Sequence, residues 1–419
     1  MKNFFGQILK FTFGLLVIGI VILRLFMGFR WYQTGVGGVG ATHAQVAGKE
    51  VGLPILEKLG LKEAYLAVFS PEKLLVQSSF ESDIEKNAEN KNLGVRIKGF
   101  ETIGKVFSNE GFSMVGTIEA ESLPEILNIL VTCSLEDYDN EYPVPAELSL
   151  PGSFSNQGQI AKGVKEVVQA TCSFPNGVKI EDTKQVVTAK KASMFVDFNF
   201  ETKASHKTYI LDNDELMKFK SQNEDPFDFY QVNDPQLTSK RTIRSKATAG
   251  PINLAIGTFQ SQPFTENTPY WFGVTISNNE DWRGNLKKLE ELELRIPDFM
   301  YLESDSEFES RGEKSPCNFE NTGKTVQDGD LRYKVYALKQ ESLDKVNKDC
   351  DIKSLQDTTL TRQTCIDLFK GDLDFRCRFK LKGIQSPTLT YDAIGATAKY
   401  IYETEKTAAV NIVKIPTIA

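Results

Sequence analysis

The chain reads as a mainly β protein: an N-terminal transmembrane helix, a short helical base, then two β-sandwich domains. Three observations predict this. From Phe11 to Phe29 the sequence is one apolar run broken only by Arg24, and no Asp or Glu occurs before Glu50. From Gly94 onward apolar residues recur at every second position, in short runs divided by Gly, Pro, Asn and Asp. Six cysteines are scattered through and between those runs, and none forms a C-x-x-C pair.

The apolar run has the length of a membrane span, for which about 20 helical residues are needed. Trp31 and Tyr32 follow it at once, an aromatic pair suited to the headgroup boundary. Lys2 and Lys10 give a basic start, but the run exceeds a signal-peptide core and ends in Phe29-Arg30-Trp31-Tyr32, which fits no cleavage site. Residues 1–32 are therefore expected to be a short cytoplasmic tail and an uncleaved anchor, with Arg24 snorkelling to the interface.

Residues 33–93 form the expected stalk and helical base. Two readings of its start stand: a flexible Gly/Ala linker, or a helix whose small residues Gly37, Ala41, Ala44 and Gly48 make one self-association stripe. Pro54 to Leu61 predicts a short helix. Ser79 to Asn92 predicts a second, so charged that it should bury little.

The first β-sandwich is expected over 94–204. In ILVTCSL, Ile129, Val131, Cys133 and Leu135 share a face; in VVQATCSF, Val168, Ala170, Cys172 and Phe174 do likewise. Two inward cysteines on alternating strands, 39 positions apart, predict a Cys133–Cys172 bridge resembling the inter-sheet bond of an immunoglobulin-like sandwich. No Trp lies between them, and Ala170 stands where that fold carries a tyrosine.

Residues 205–249 interrupt the alternation and are expected to be a helical, irregular connector. Asp212 with Glu215 predicts a helix start. Lys240, Arg241, Arg244 and Lys246 form a basic patch, read as a solvated face. The second β-sandwich is expected over 250–419. Tyr270, Phe272, Val274 and Ile276 face one way; Leu292, Leu294 and Ile296 oppose Glu291, Glu293 and Arg295; and ATAKYIYE-TEK-TAAVNI reads as a closing hairpin. Its four cysteines allow three pairings. Cys317–Cys377, closing a polar insertion that holds Cys350–Cys365, is the preferred one.

Beyond residue 49 the chain holds 44 basic and 56 acidic residues, a formal charge of −12, so a nucleic-acid partner is not expected. An even cysteine count over β-like sequence points to disulfides and an oxidising, extracytoplasmic side. No G-x-S-x-G, H-E-x-x-H or Walker loop is present, and the only histidines, His43 and His206, lie far apart. His206 is expected on a strand edge or loop, and Asp328-Gly329-Asp330 at a hairpin turn. The densest acidic group follows Cys133, where Asp137, Asp139 and Glu141 could hold calcium through oxygen ligands without the D-x-D-x-D-G arrangement. No cofactor is otherwise expected, and no Asn-x-Ser/Thr sequence occurs.

The stretch TISNN…GNLKKLEELELRIPDFMYLES and the closing YIYETEKTAAVNI resemble the Ig-like, adhesion-type repeats of archaeal cell-surface proteins. The overall layout resembles their single-pass anchored forms. That resemblance implies a structural or adhesive role exercised by protein–protein contacts, with no catalytic residues. A filament or oligomer subunit built on the N-terminal helix, and an anchored sugar- or calcium-binding module, are the alternatives.

Overall fold

The structure, a computed structural model, describes residues 79–90, 93–136, 143–149, 156–178, 187–266, 268–312, 317–329, 331–348, 352–356, 366, 368, 371–383 and 388–414. The expected anchor, the stalk stripe and the Pro54–Leu61 helix lie outside these residues. Among the described residues no helix is long and apolar enough to cross a membrane.

The protein is mainly β, built on one antiparallel ribbon. Strands β8 (Val187–Ile210) and β17 (Thr390–Val413) have 24 residues each and pair without a break from Thr390↔Ile210 to Val413↔Val187. At about 3.3 Å per residue the ribbon is roughly 80 Å long. Beside β8 lie β4 (Ile126–Leu135) and the two-residue β9 (Lys246–Ala247); β6 (Gln157–Ala161) pairs with β4. Beside β17 lie β12 (Gly284–Pro297) and the short parallel β2 (Val106–Phe107). Beyond β12 come β15 (Leu331–Leu338) and β14 (Phe319–Asp328).

Two wings pack on the ribbon. The first holds β1 (Gly94–Thr102), β3 (Phe112–Glu121), β7 (Lys165–Phe174) and β5 (Val144–Leu148). Strand β5 turns the corner: Val144 and Pro145 pair with β4, while Ala146 to Leu148 pair with β7. The second wing is a separate four-stranded sheet in the order β10 (Ile252–Thr258), β11 (Tyr270–Asn278), β16 (Leu373–Leu381), β13 (Met300–Leu302).

Both wings cover the same face of the ribbon. A side chain on Gly116 of β3 would collide with Met194, and one on Gly250, just ahead of β10, would press on Phe200 and Thr202. These are even-numbered residues of β8, which a strand's period of two places on one face. One continuous cluster of buried side chains therefore runs beneath both wings. Trp282 fills the seam: its ring packs on Gly94, lies 6.4 Å from Phe198 and 6.3 Å from Tyr402, and has the Arg96 guanidinium 4.4 Å above it.

Three sequence expectations change. The two halves share the ribbon, and the expected boundary at 204–205 falls inside β8. The closing hairpin is a single strand, β17, because Glu403 to Lys406 stay paired with Asp197 to Met194 instead of turning. Helix α1 (Ser79–Asn87) is not a superficial helix: it buries Phe80 and Ile84, one turn apart. It sits on the ribbon's other face, with Phe80 over Gly395 and Asp83 paired to Lys203 at 2.9 Å.

The connector folds on a small core of Tyr209, Phe227 and Ile243. It carries α2 (Asn213–Gln222), capped by Asp212 accepting from the N–H groups of Asp214 and Glu215, and α3 (Pro226–Phe229). Two further short helices are α4 (Asp305–Glu309) and α5 (Gln340–Val346).

The close approach at Gly116 yields a test. Gly116→Leu should cost about 1–3 kcal/mol by overpacking. Combined with Met194→Ala the two costs should be clearly less than additive in urea unfolding. Full additivity would show that the first wing does not seat on Met194.

Candidate functional site

The outer face of the second wing holds the most distinctive chemistry among the described residues. In β16 the sequence LDFRCRFKL alternates strictly. Phe375, Cys377, Phe379 and Leu381 are buried, and Asp374, Arg376, Arg378 and Lys380 point outward. The register sets Arg378 beside Trp271 and Arg376 beside Gly273, and Gly273 in turn pairs with Gly257. Aromatic rings and guanidinium groups interleave across this face. Arg378 lies 5.3 Å from the Trp271 ring and 4.4 Å from that of Phe308, and Arg376 lies 5.7 Å from that of Phe259.

At one side of this face sits Glu303, directly after β13. Its side chain is fully buried yet meets three cations. Arg378 Nε donates to Oε2 at 2.6 Å, Lys380 Nζ meets Oε1 at 2.6 Å, and Arg311 Nη2 lies 3.4 Å from Oε2. Burial alone would raise this carboxyl. The hydrogen bonds and charges of Lys380 and Arg378 more than offset it and hold Glu303 below the usual range, so it stays ionised. Arg378 is thereby fixed between two rings, its charge compensated from behind.

Beside Glu303 opens a cleft of about 470 Å³, lined by Tyr301, Glu303, Phe319, Lys334, Tyr336 and Lys339 among others. Its lysines are engaged: Lys334 Nζ donates to the Asp298 carbonyl at 2.6 Å and Lys339 pairs with Asp305 at 2.7 Å. Burial raises the Tyr336 hydroxyl above its ordinary pKa. Glu303 is saturated by cations and the Tyr336 phenol stays protonated, so neither of these two groups is poised as a general base or nucleophile. The arrangement fixes the shape of this part of the wing.

The cysteines lie where the wings meet the ribbon. Cys133 on β4 is joined to Cys172 on β7, and Cys317, just before β14, to Cys377 on β16. Each bond thus ties a wing to the long sheet. Closing loops of 39 and 60 residues is worth about 4 kcal/mol each in the chain-entropy model. Asp137, Asp139 and Glu141, the calcium candidates, lie outside the described residues, as do Cys350, Cys365, Gly37, Ala41, Ala44 and Gly48. No group of three metal-capable side chains converges among the described residues. Two of the four cations of the connector's basic patch are paired: Arg241 bonds Asp225 and Asp228 at 2.7 and 2.8 Å, and Lys246 meets Glu85 at 3.1 Å.

His206 is on no edge. It lies within β8 and is completely buried under the second wing, with Gln262 Nε2 3.4 Å from its Nε2. Burial pushes its imidazole down from 6.5 to about 4, against a smaller upward pull from the Ile256 backbone. Asp392 on β17 moves the other way. Burial pushes it up to about 6, although the Ala393 N–H and the Tyr333 hydroxyl, 3.1 Å away, oppose the shift.

Sequence reading missed Glu303, Arg378, Trp271 and Phe259 as a group. The one available signal was β16, whose outward positions carry three cations in a row of alternate residues. No protein-family model matches the chain, and no curated protein matches it.

Two outcomes are expected. Glu303→Ala leaves three cations facing one another and should cost about 2–4 kcal/mol in urea unfolding; a change within about 0.5 kcal/mol, the ordinary range for a surface substitution, would show that the cations do not depend on it. The titrations of His206 and Asp392 oppose each other. As pH falls from 6.5 the unfolded chain protonates His206 while the folded chain does not until about 4, so stability is lost. Over the same interval the folded chain protonates Asp392 first, near 6, so stability is gained. Relative to the unaltered protein, His206→Gln should make thermal stability rise between pH 6.5 and 5, and Asp392→Asn should make it fall. Parallel pH profiles for all three proteins would contradict both assignments.

Proposed function

We propose that this chain is a non-enzymatic structural or adhesion protein of the cell surface. The N-terminal apolar run anchors it in a membrane, and the β-rich body stands on the extracytoplasmic side. The finer architecture belongs to the same reading: two immunoglobulin-like sandwiches, each formed by a wing and its half of the ribbon, raised on a short helical base.

The observation that carries this reading is the placement of the two described disulfides. Each links a wing to the long sheet through inward-facing positions. Such bonds persist on the oxidising side of a membrane and are rare in the cytosol. They favour a body that keeps its shape while its outer faces make contacts, which is the need of a surface or adhesion protein and not of an enzyme with moving lids.

Topology on intact cells tests it. An external protease should release or degrade the body. The cysteines should react with a maleimide reagent only after reduction and denaturation. Protection from the protease in intact cells, with thiols that label without reductant, would place the body in the cytosol and overturn the proposal.

A further inference from the structure

The face built by β10, β11 and β16 has a feature that rigidity alone does not require. Phe259 is 61% exposed, although most large apolar side chains of this wing are inside. Its ring lies over Gly273, 3.8 Å from where a Cβ would stand. Beside Gly273 the paired Gly257 leaves its own Cβ position open, with no atom within 4 Å. Across the same row Arg376 places its guanidinium over Phe259. Arg376 is exposed and has no carboxylate partner among the described residues, whereas Arg378 and Lys380 on the same strand are committed to Glu303. Trp271, half-exposed, borders the row, its ring held by Arg378. The nearest acid on the strand, Asp374, is occupied by the Thr275 hydroxyl at 2.7 Å.

We infer that this face binds an acidic polysaccharide, a polymer of pyranose rings bearing carboxylates. An exposed flat ring on a sheet offers an apolar surface that matches the C–H face of a pyranose. Gly257, whose Cβ position is open, leaves a floor beside the Phe259 ring low enough for a sugar ring to approach the backbone. The guanidinium presents a planar fork that fits a carboxylate in two parallel hydrogen bonds. An uncompensated cation in a chain of net charge −7 selects an anionic ligand. Acidic peptides would satisfy the arginine but would leave the exposed ring and the glycine floor without a role. The site extends the adhesion reading by naming a ligand class, yet it is tested on purified protein and does not depend on which side of a membrane the body lies.

The experiment measures binding of full-length protein in detergent to three immobilised polymers. Polygalacturonate has rings and charge, its methyl ester has rings without charge, and polyglutamate has charge without rings. The expected order is polygalacturonate well above both others. Phe259→Ala and Arg376→Gln should each weaken polygalacturonate binding about fivefold or more. Arg376→Gln should also reduce its dependence on salt. Gly257→Val should abolish binding by filling the floor, with an unchanged melting temperature because that position is open. Lys240→Ala, on the connector, should change nothing. Equal binding of polyglutamate would replace the proposal with an acidic-peptide surface. No binding of polygalacturonate, or binding indifferent to both Phe259→Ala and Arg376→Gln, would overturn it. Loss of the membrane assignment with retained binding would sink only the earlier reading.

Discussion

The pairing of β8 with β17 is the constraint on which the rest of the structure depends. Its 24 consecutive antiparallel partners give one surface long enough to seat two wings. Because the side chains alternate, one face of this surface carries Met194, Val196, Phe198 and Phe200 beside Tyr400 and Tyr402. The other face carries Glu201, Lys203 and Lys399, and receives α1. Neither wing could bury its inner face alone; both bury it on the ribbon, so the core is continuous. The aromatic side chains do most of the filling, with Phe198, Phe200, Tyr400, Tyr402 and Trp282 in mutual contact at ring separations of 5.8 to 6.5 Å.

What the ribbon does for packing, the disulfides and Glu303 do for the margins. The first wing is held by a corner strand and the Cys133–Cys172 bond. The second wing shares no strand with the long sheet and is held to it by packing and the Cys317–Cys377 bond, while the charge cluster on Glu303 braces the wing from within. A buried carboxylate adds little to stability over an apolar replacement, but it fixes geometry when every lone pair is used. Here it fixes Arg378, and Arg378 fixes Trp271 and Phe308. The outer face of that wing is rigid for this reason.

Much of this was legible in the sequence, and the failures have physical causes. Strict alternation identified the buried faces of β11 and β12 from residues such as Tyr270 and Leu292, because one side of each strand is apolar and the other polar. The same rule lost the end of β8, where the inward positions are Thr202, His206 and Thr208; alternation is invisible when buried residues are polar. It also lost β17 at Glu403-Thr404-Glu405-Lys406, a charged stretch that resembles a turn but contains no residue able to make one cheaply. Helix α1 was misjudged by its charge, although Phe80 and Ile84 stand four apart, the spacing of a buried stripe. Glu303 was beyond reach of a linear reading: its cations come from positions 311, 378 and 380, and only the fold of β13 against β16 assembles them.

A long alternating pair carries a hazard that its polar interior addresses. A slip of one residue would turn every apolar side chain to the wrong face and is strongly disfavoured. A slip of two would preserve both faces, so the hydrophobic pattern alone does not forbid it. The specific contacts do. Thr202 and Tyr400 share a hydrogen bond of 2.8 Å across the pair, and Ser193 Oγ donates to Glu405 at 2.9 Å. Gly395 must lie beneath Phe80, where any larger residue would collide. Gln262 reads the end of β8 by accepting from the Tyr209 N–H at 2.7 Å and donating to the Lys207 carbonyl at 3.2 Å. A two-residue slip would strand these buried polar groups, each at about 1–3 kcal/mol, and would drive a side chain into the Gly395 site. The polar residues that hid the end of β8 from sequence reading are therefore among those that hold its register.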